Sequence, residues 1–387
     1  MLPYGTLSYF IYLGIALIPL IIAQLFGKKF LLYQVLLSIC FLGLTFIDKK
    51  FGGVALVSFG LWQLLLVKGY EWYRQTKEKN STWIFIIILW LSIFPLFLVK
   101  CKVSFLGFLG ISYLTFRVVN IVMELRDGLI KKVPVFDFLY FLYFFPTISS
   151  GPIDRFRRFQ KELKEPIKDY GKFLNRGIFC IFQGFLYKFI IAYLLDIYCV
   201  DPLELEIMKL PSFLNLAGYM YSYGFHLFFD FAGYSFFAIG ISYLMGYEIP
   251  KNFHLPFASK NIKEFWNRWH MSLSLWFRDF VYMRLVYWLM KKKLIKSPIK
   301  ISNLGYFALF LLMGIWHGFT WYLIAYGLYH AVLMCVTDIW IRFKKKHKGL
   351  IPENKGMDFL NIVLTMHAAL IGFLIFSGIF DQLIDSK

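Results

Sequence analysis

Acidic residues are scarce in this sequence, and their scarcity gives the 387-residue chain a formal net charge of +19, from 42 Lys+Arg against 23 Asp+Glu. A strongly basic chain can bind nucleic acid, but no nucleic-acid-binding motif is present. Charged residues make up only 17% of the chain, whereas hydrophobic residues make up 59%. No soluble domain needs so much apolar surface, so the composition indicates a polytopic membrane protein whose basic residues meet anionic membrane lipids.

Motifs for common site chemistries are also missing. The five cysteines are scattered without metal or redox spacing, and we interpret them as small buried hydrophobic residues. No Walker loop, GxSxG nucleophile turn or dinucleotide fingerprint is present. His226 and Asp230 are four residues apart and share one helical face, but two ligands do not make a zinc site. We therefore predict no metal, and interpret Asp230 either as hydrogen-bonded to His226 or as lining a cavity.

What the sequence has instead is a series of long apolar runs. A membrane-spanning helix needs roughly 20 such residues, and several of the runs approach that length. We expect roughly ten or eleven crossings from these runs, and one integral-membrane domain over residues 1–387, with N-terminal helices in 1–100, a core at about 103–341 and a last helix at 359–380. The runs are Thr6–Phe26, Phe30–Ile47, Phe51–Val67, Thr82–Val99, Val103–Val118, Val135–Ser149, Gly177–Val200, Phe213–Tyr247, Ile301–His317, Trp321–Ile341 and Phe359–Phe380.

Three of these runs depart from a simple span. Val103–Val118 is short and broken by glycine, so it is either tilted or re-entrant or a full span. Val135–Ser149 ends at Pro146 and Gly151, which indicates a segment that enters and bends. Phe213–Tyr247 is too long for one perpendicular crossing, so we expect a kink near Phe231–Gly233 or two half-helices.

The distribution of charge predicts the orientation. Most Lys and Arg residues fall in Lys68–Lys79, Arg155–Lys172, Lys291–Lys300 and Arg342–Lys355, while Asp201–Glu206 is acidic. Basic loops of membrane proteins stay in the cytoplasm. The sequence therefore predicts a multi-pass protein of the cell membrane with both termini outside.

A polar and aromatic stretch, NIKEFWNRWHMSLSLWFRDF, begins at Asn261. Read as one helix, it places Asn267, His270, Ser274 and Arg278 on a single polar stripe. Such a segment is too polar to cross a bilayer in contact with lipid, so we expect it to lie at the interface or to dip in against other helices. His270 is then either a functional group or an imidazole that is hydrogen-bonded to a neighbouring helix.

His317 ends an apolar run, LFLLMGIWHG. A titratable group in a membrane segment is costly unless it faces a cavity or a partner, which favours a functional role. Gly314 and Gly318 leave room for a substrate beside it. The alternative is a packed histidine that donates to a backbone carbonyl.

The pairing of NRWHMSLS with a later WHG resembles the membrane-bound O-acyltransferase (MBOAT) family. GISYLTFR from Gly110, FFPTISSGPIDRF from Phe144 and FFDFAGYS from Phe228 agree with its bacterial members, and in this order they are most similar to the branch that serves teichoic-acid D-alanylation. The resemblance implies an all-α polytopic membrane fold of about 11 transmembrane helices, with re-entrant or interfacial helices, around a thin central funnel.

The same resemblance implies a reaction. His317 would be the catalytic histidine and His270 an important second one. The donor would be a D-alanyl thioester on the phosphopantetheine arm of an acidic carrier protein at the cytoplasmic face. The acceptor would be teichoic acid or an extracellular-facing partner protein. Acyl transfer needs a general base and donors for the oxyanion, and no permanently bound cofactor.

From this chemistry we assign further roles to residues around the two histidines. Lys291, Lys292 and Lys293 belong to a basic patch that suits docking of an acidic carrier. The candidate substrate-binding residues are Asn267, Ser274, Arg278, Asp230 and Trp316.

Two other interpretations remain open at this point. One is an O-acetyltransferase of the alginate or peptidoglycan type, which shares several of these patterns. The other is a non-catalytic membrane conduit in which the histidines only gate passage. The immediate acceptor, the formation of an acyl-enzyme and the roles of His330, His347 and His367 also stay open.

Overall fold

The computed structural model describes residues 2–47, 51–76, 80–167, 169–347, 349 and 354–385, and in these residues the chain is helical without strands. This confirms the predicted all-α fold class. Parts of the expected basic loops, residues 77–79, 168, 348 and 350–353, lie outside the described residues.

The helices follow one another with short connections. Helices α1 to α7 are Leu7–Leu25, Leu31–Phe46, Gly52–Thr76, Thr82–Lys100, Ile111–Arg126, Val135–Leu142 and Phe156–Lys164. Helices α8 and α9 are Tyr170–Lys209, which contains the π-helical stretches Leu186–Ala192 and Asp196–Val200, and Phe213–Leu244. Helices α10 to α12 are Ile262–Trp266, Met271–Phe277 and Met283–Lys292, the last two joined by the π-helical stretch Arg278–Tyr282. Helices α13 to α16 are Pro298–His317, Trp321–Lys346, Lys355–Phe376 and Ile379–Asp385, and short 3₁₀ turns occur at Ser104–Leu106, Phe145–Thr147 and Pro256–Ala258.

Within the described residues, eight helical segments are long and apolar enough to cross a membrane, and α2 is apolar but has only 16 residues. The protein is therefore a multi-pass membrane protein. Two of the eleven runs are not spans of this kind: α5 begins only at Ile111 and is almost wholly buried, and α6 ends at Leu142 before the Phe145–Thr147 turn. Helix α9 is continuous over 32 residues, so of the two alternatives for this run the two half-helices are wrong, and the kink near Phe231–Gly233 stays a prediction.

The chain divides into two compact units. The first comprises Met1–Gly184 and Tyr234–Pro250, and the second comprises Phe185–Gly233 and Lys251–Lys387. Both candidate histidines belong to the second unit. The single domain and the central funnel stay predictions.

In the first unit, Arg117 joins two of the sequence motifs. This buried guanidinium on α5 donates to the backbone carbonyls of Phe141, Leu142 and Thr147, at 2.8, 2.8 and 2.6 Å. A cation in an apolar interior is stable only when its donors are satisfied. The bend after α6 supplies the acceptors, because the last carbonyls of a helix have no partner within that helix. GISYLTFR and FFPTISSGPIDRF therefore form one structural joint.

The same joint requires glycine where the two motifs touch. Gly110 has φ +95°, a left-handed value that side chains rarely adopt, and a Cβ there would lie 2.2 Å from the Ile148 carbonyl oxygen. The FFDFAGYS motif reaches this region as well, because Tyr234 hydrogen-bonds to Ser149. The Tyr4 hydroxyl donates to the Pro146 carbonyl at 3.0 Å. Backbone groups at the bend are thus paired within the protein rather than left to lipid.

In the second unit, α13 and α14 approach each other at two glycines. A Cβ on Gly314 would lie 2.6 Å from the Leu323 carbonyl oxygen, and one on Gly327 would lie 2.5 Å from the Phe310 carbonyl oxygen. Small residues allow such close approach between membrane helices. Because Gly314 lies one turn before His317, this contact fixes the end of α13.

Replacing Arg117 with leucine should destabilise the protein strongly. The variant leaves three buried carbonyls without donors, so we expect Arg117→Leu to lower the free energy of unfolding by about 3 kcal/mol or more. Thermal unfolding of the purified protein in detergent measures the change. The matched control is Arg176→Leu, because that side chain is exposed and its 3.8 Å ion pair with Glu248 lies at the surface. Equal melting temperatures for the two variants would contradict the role assigned to Arg117.

Candidate active site

The polar stretch from Asn261 is not one helix, so the predicted polar stripe is wrong. Helix α10 begins after Asn261, whose side chain accepts from the Glu264 amide at 2.9 Å, and it ends at Trp266. Helix α11 begins only at Met271, and His270 between them has φ +41° and ψ 51°. This left-handed residue changes the direction of the chain. His270 consequently points to a different place from Asn267, Ser274 and Arg278.

Asn252, in the loop after α9, holds this turn. Its backbone carbonyl accepts from the Met271 amide at 2.8 Å, and its side-chain Oδ1 accepts from the Ser272 hydroxyl at 2.6 Å. The His254 amide also donates to the Arg268 carbonyl, at 2.9 Å. A left-handed non-glycine residue costs roughly 1 to 3 kcal/mol and persists only when its surroundings fix it. Asn252, which is fully buried, is the main part of those surroundings.

The turn brings His270 to a small cavity that His317 also lines. We call it the histidine cavity; its volume is about 70 Å³. His270 is buried against the edge of Phe231, with 4.7 Å between ring centroids, and His317 lies against Phe376 at 5.0 Å. The cavity is lined by Leu227, Phe231, Trp266, Trp269, His270, Leu273, Met313, His317, Tyr326, Phe373 and Phe376.

The cavity keeps His270 uncharged. Burial, followed by the nearby His317, lowers the pKa of His270 to about 3, so its imidazole is neutral at physiological pH. Its Nδ1 is buried and has no hydrogen-bond partner in the part of the chain that the structure describes. Buried polar atoms are normally paired, so an unpaired one that lines a cavity is available to a ligand. The expected alternative, a bond from His270 to a neighbouring helix, is not observed at Nδ1.

A second, larger cavity holds the other polar residues of the stretch. We call it the basic cavity, because Lys263 and Arg278 line it; its volume is about 250 Å³. Its lining residues are Lys263, Trp266, Asn267, Ser274, Leu275, Arg278, Tyr282, Tyr306, Leu309, Phe310, Met313 and Met334. Trp266 and Met313 line both cavities. The predicted site residues therefore fall into two adjacent groups.

Asp230 and Trp316 line neither of these cavities. Asp230 forms an ion pair with Lys188 of α8. The proposed bond between Asp230 and His226 is therefore wrong, because His226 Nδ1 lies 3.1 Å from the Ala192 carbonyl and 3.6 Å from Asp196. Helix α8 comes close enough for these pairs because a Cβ on Gly233 would lie 2.8 Å from the Lys188 backbone nitrogen.

The remaining predicted residues lie next to the site or away from it. The Trp316 ring contacts the His317 ring, with 4.5 Å between centroids. Lys291, Lys292 and Lys293 are exposed at the end of α12. No group of three or more His, Cys, Asp or Glu side chains that could hold a metal occurs among the described residues.

Sequence reasoning missed three residues of the site. Trp266 and Met313 line both cavities, and Lys263 adds a charge to the basic cavity. Met313 has a local signal, since it lies four residues before His317 and so on the same face of α13. Trp266 and Lys263 have none, because their orientation depends on the break at residues 267–270.

Two imidazoles line one small apolar cavity beside a larger basic one, and the imidazole of His270 is neutral. Such an arrangement suits proton transfer to and from a bound acyl donor. The chain belongs to the membrane-bound O-acyltransferase family: the model of "MBOAT, membrane-bound O-acyltransferase family" matches residues 40–349. It is therefore an acyltransferase by family.

Individual relatives show which members of this family the chain resembles. The chain is 49% identical to the teichoic acid D-alanyltransferase of Bacillus subtilis (strain 168), over 98% of both chains. It is 47% identical to the teichoic acid D-alanyltransferase of Lacticaseibacillus rhamnosus, again over 98% of both. The probable alginate O-acetylase AlgI of Pseudomonas fluorescens is more distant, at 30% identity over 66% of this chain and 50% of that protein.

Removing the side chain that holds the turn should impair acyl transfer. Asn252→Ala removes the hydrogen bond between its side chain and the Ser272 hydroxyl and loosens His270, so we expect the turnover rate to fall about tenfold with little change in KM for the donor. Steady-state kinetics of the purified protein measure both constants. Ser259→Ala is the matched control, because it removes another buried loop hydrogen bond, from Ser259 to the Pro256 carbonyl at 2.6 Å. Similar turnover for Asn252→Ala and Ser259→Ala would argue against the assigned role of Asn252.

Proposed function

We propose that this protein transfers D-alanine from a carrier-protein thioester at the cytoplasmic face towards teichoic acid outside the cell. The observation that carries the proposal is the identity of 49% and 47%, over 98% of each chain, to two teichoic acid D-alanyltransferases. Two histidines at one cavity support the chemistry. An O-acetyltransferase is the second candidate, favoured only by the more distant alginate O-acetylase.

In the proposed mechanism His317 is the general base. Its imidazole accepts the proton of the attacking hydroxyl while the hydroxyl oxygen bonds to the thioester carbonyl carbon. The tetrahedral intermediate then expels the thiolate, which receives that proton from His317. His270, neutral and buried, donates a hydrogen bond to the carbonyl oxygen as its negative charge develops. The reaction conserves protons overall and needs no bound cofactor.

The basic cavity is the proposed entrance for the donor. A phosphopantetheine arm carries a phosphodiester, and Lys263 and Arg278 offer the positive charge that it requires. Asn267 and Ser274 line the same cavity and can hydrogen-bond the amides of the arm. Trp266 and Met313, which line both cavities, place the end of the arm next to the histidines. The arm belongs to the carrier, so this chain supplies only its path.

The proposed partner on the inner side is an acidic carrier protein. Lys291, Lys292 and Lys293 are exposed and continuous, and such a patch attracts an acidic partner and increases its association rate. This arrangement requires the basic loops to face the cytoplasm and both termini to lie outside. The acceptor on the outer side is teichoic acid or a partner protein that passes the D-alanyl group on.

Substitution of His317 should abolish transfer. Protein in liposomes is given carrier loaded with labelled D-alanine, and loss of label to an acceptor is followed over time. Because the general base is lost, we expect His317→Ala to lower the rate by about a hundredfold or more, and His270→Ala to lower it less. The matched control is His347→Ala, because that histidine is exposed at the end of α14 and should leave the rate unchanged.

Two other outcomes of this experiment would change the assignment. Efficient transfer from an acetyl-loaded carrier, with none from the D-alanyl carrier, would favour the O-acetyltransferase. A carrier that keeps its D-alanine with every acceptor tested, together with altered solute passage in His317→Ala liposomes, would favour a conduit.

Reversing the charge of the docking patch should weaken use of the carrier. We expect Lys291→Glu, Lys292→Glu and Lys293→Glu together to raise KM for the carrier at least tenfold, with a smaller effect at high salt and little change in turnover rate. The control reverses Lys344, Lys345 and Lys346, a second basic run at the end of α14. An equal rise in KM for both triple variants would show that net charge, rather than this patch, attracts the carrier.

A further inference from the structure

His330 is a buried histidine like His270, and it touches the site without lining either cavity. It lies on α14 and is fully buried. The indole Nε1–H of Trp266 donates to its Nδ1 at 3.3 Å. An indole nitrogen can only donate, so Nδ1 of His330 must be the unprotonated nitrogen and Nε2 carries the proton of the neutral ring.

Packing restricts the ring of His330, whose Nε2 has no hydrogen-bond partner among the described residues. Gly372 on α15 lies against it, and a Cβ at that glycine would lie 2.4 Å from Nε2. Tyr326 packs its ring edge-on at 4.8 Å, and Tyr329 does so at 5.4 Å. A histidine fixed in this way presents its Nδ1 acceptor in one direction only, towards Trp266.

Trp266 is the wall that the two cavities share. It lines both the basic cavity and the histidine cavity, as does Met313. Helix α10 does little to orient the Trp266 side chain, because Trp266 is the last of its five residues and the break before His270 follows. The contacts that orient the indole include the hydrogen bond that its Nε1–H donates to His330 and the ring of Phe310, with 5.0 Å between ring centroids.

We propose that Trp266 determines the size of the acyl group that reaches the histidines, and that His330 is the positioning residue that holds Trp266 in place. The inference rests on the proposed function, because it concerns the acyl group of a thioester that enters through the basic cavity. A large aromatic wall beside a histidine cavity of about 70 Å³ admits a small acyl group such as D-alanyl and excludes a branched, bulkier one. Steric selection of this kind is lost when the wall shrinks or turns.

The test compares two donors on the same carrier. Full-length protein in liposomes receives carrier whose phosphopantetheine arm has been loaded chemically with D-alanyl or with D-leucyl, and kcat/KM is measured for each. We expect wild type to prefer D-alanyl strongly. Trp266→Ala should reduce the preference at least tenfold by accelerating D-leucyl transfer, and Trp266→Phe should reduce it less.

The His330 variants test the hydrogen bond separately from packing. His330→Asn places an amide oxygen where Nδ1 lies, so it should keep the preference within about twofold of wild type, whereas His330→Gln and His330→Leu should reduce it about three- to tenfold. If His330 only stabilised the fold, all three variants would be less stable, but their donor preferences would not follow this order. Trp276→Leu is the matched control, since Trp276 is also 5% exposed but lines neither cavity, and its preference should equal that of wild type.

Three results would overturn the inference. The first is an unchanged preference in Trp266→Ala, or in Trp266→Phe and His330→Leu where Trp266→Ala does not fold. The second is an equal loss in Trp276→Leu, which would indicate general loosening. The third is equal behaviour of His330→Asn and His330→Leu, which would remove His330 from the account. Absence of D-alanyl transfer by wild type is a distinct result that would reject the proposed function itself.

Discussion

The left-handed turn at His270, which Asn252 holds, is the local feature on which the arrangement of the site depends. On an unbroken helix the side chains of Asn267, His270 and Ser274 would follow one another on one face. The turn moves His270 to the histidine cavity and leaves Asn267, Ser274 and Arg278 at the basic cavity. The energy that the turn costs is offset by two hydrogen bonds to Asn252, of 2.8 and 2.6 Å. The burial of the polar Asn252 side chain is therefore explained by the turn that it maintains.

The position of His317 depends on packing between helices rather than on a turn. Gly314 and Gly327 let the backbones of α13 and α14 touch, and α13 then ends at His317 itself. The ring lies edge-on to Tyr326 at 5.9 Å and to Phe376 at 5.0 Å, so neighbouring aromatic residues restrict its rotation. The two histidines are thus placed by different means, one by backbone strain and one by close helix packing.

The parts of the fold that follow from local composition could be predicted from the sequence. Apolar runs identified the eight helical segments that are long enough to span within the described residues, because span length and hydropathy are properties of consecutive residues. The break at residues 267–270 could not be predicted, since a left-handed histidine has no compositional signal and Asn252 lies in a different loop. The partner of Asp230 was missed for the same reason: Lys188 is on another helix, whereas the spacing argument considered only α9. Contacts between distant residues decided each of these cases.

The motifs differ in what they do physically. GISYLTFR and FFPTISSGPIDRF meet through Arg117, whose guanidinium pairs with carbonyls at a bend, so within the first unit they maintain structure. The two candidate histidines belong to NRWHMSLS and WHG. The proposed chemistry also places opposite demands on their surroundings: a phosphodiester requires the positive charges of Lys263 and Arg278, whereas a histidine base requires a neutral imidazole in an apolar cavity. Trp266 and Met313 line both cavities, so the charged and the apolar surroundings meet at these two side chains.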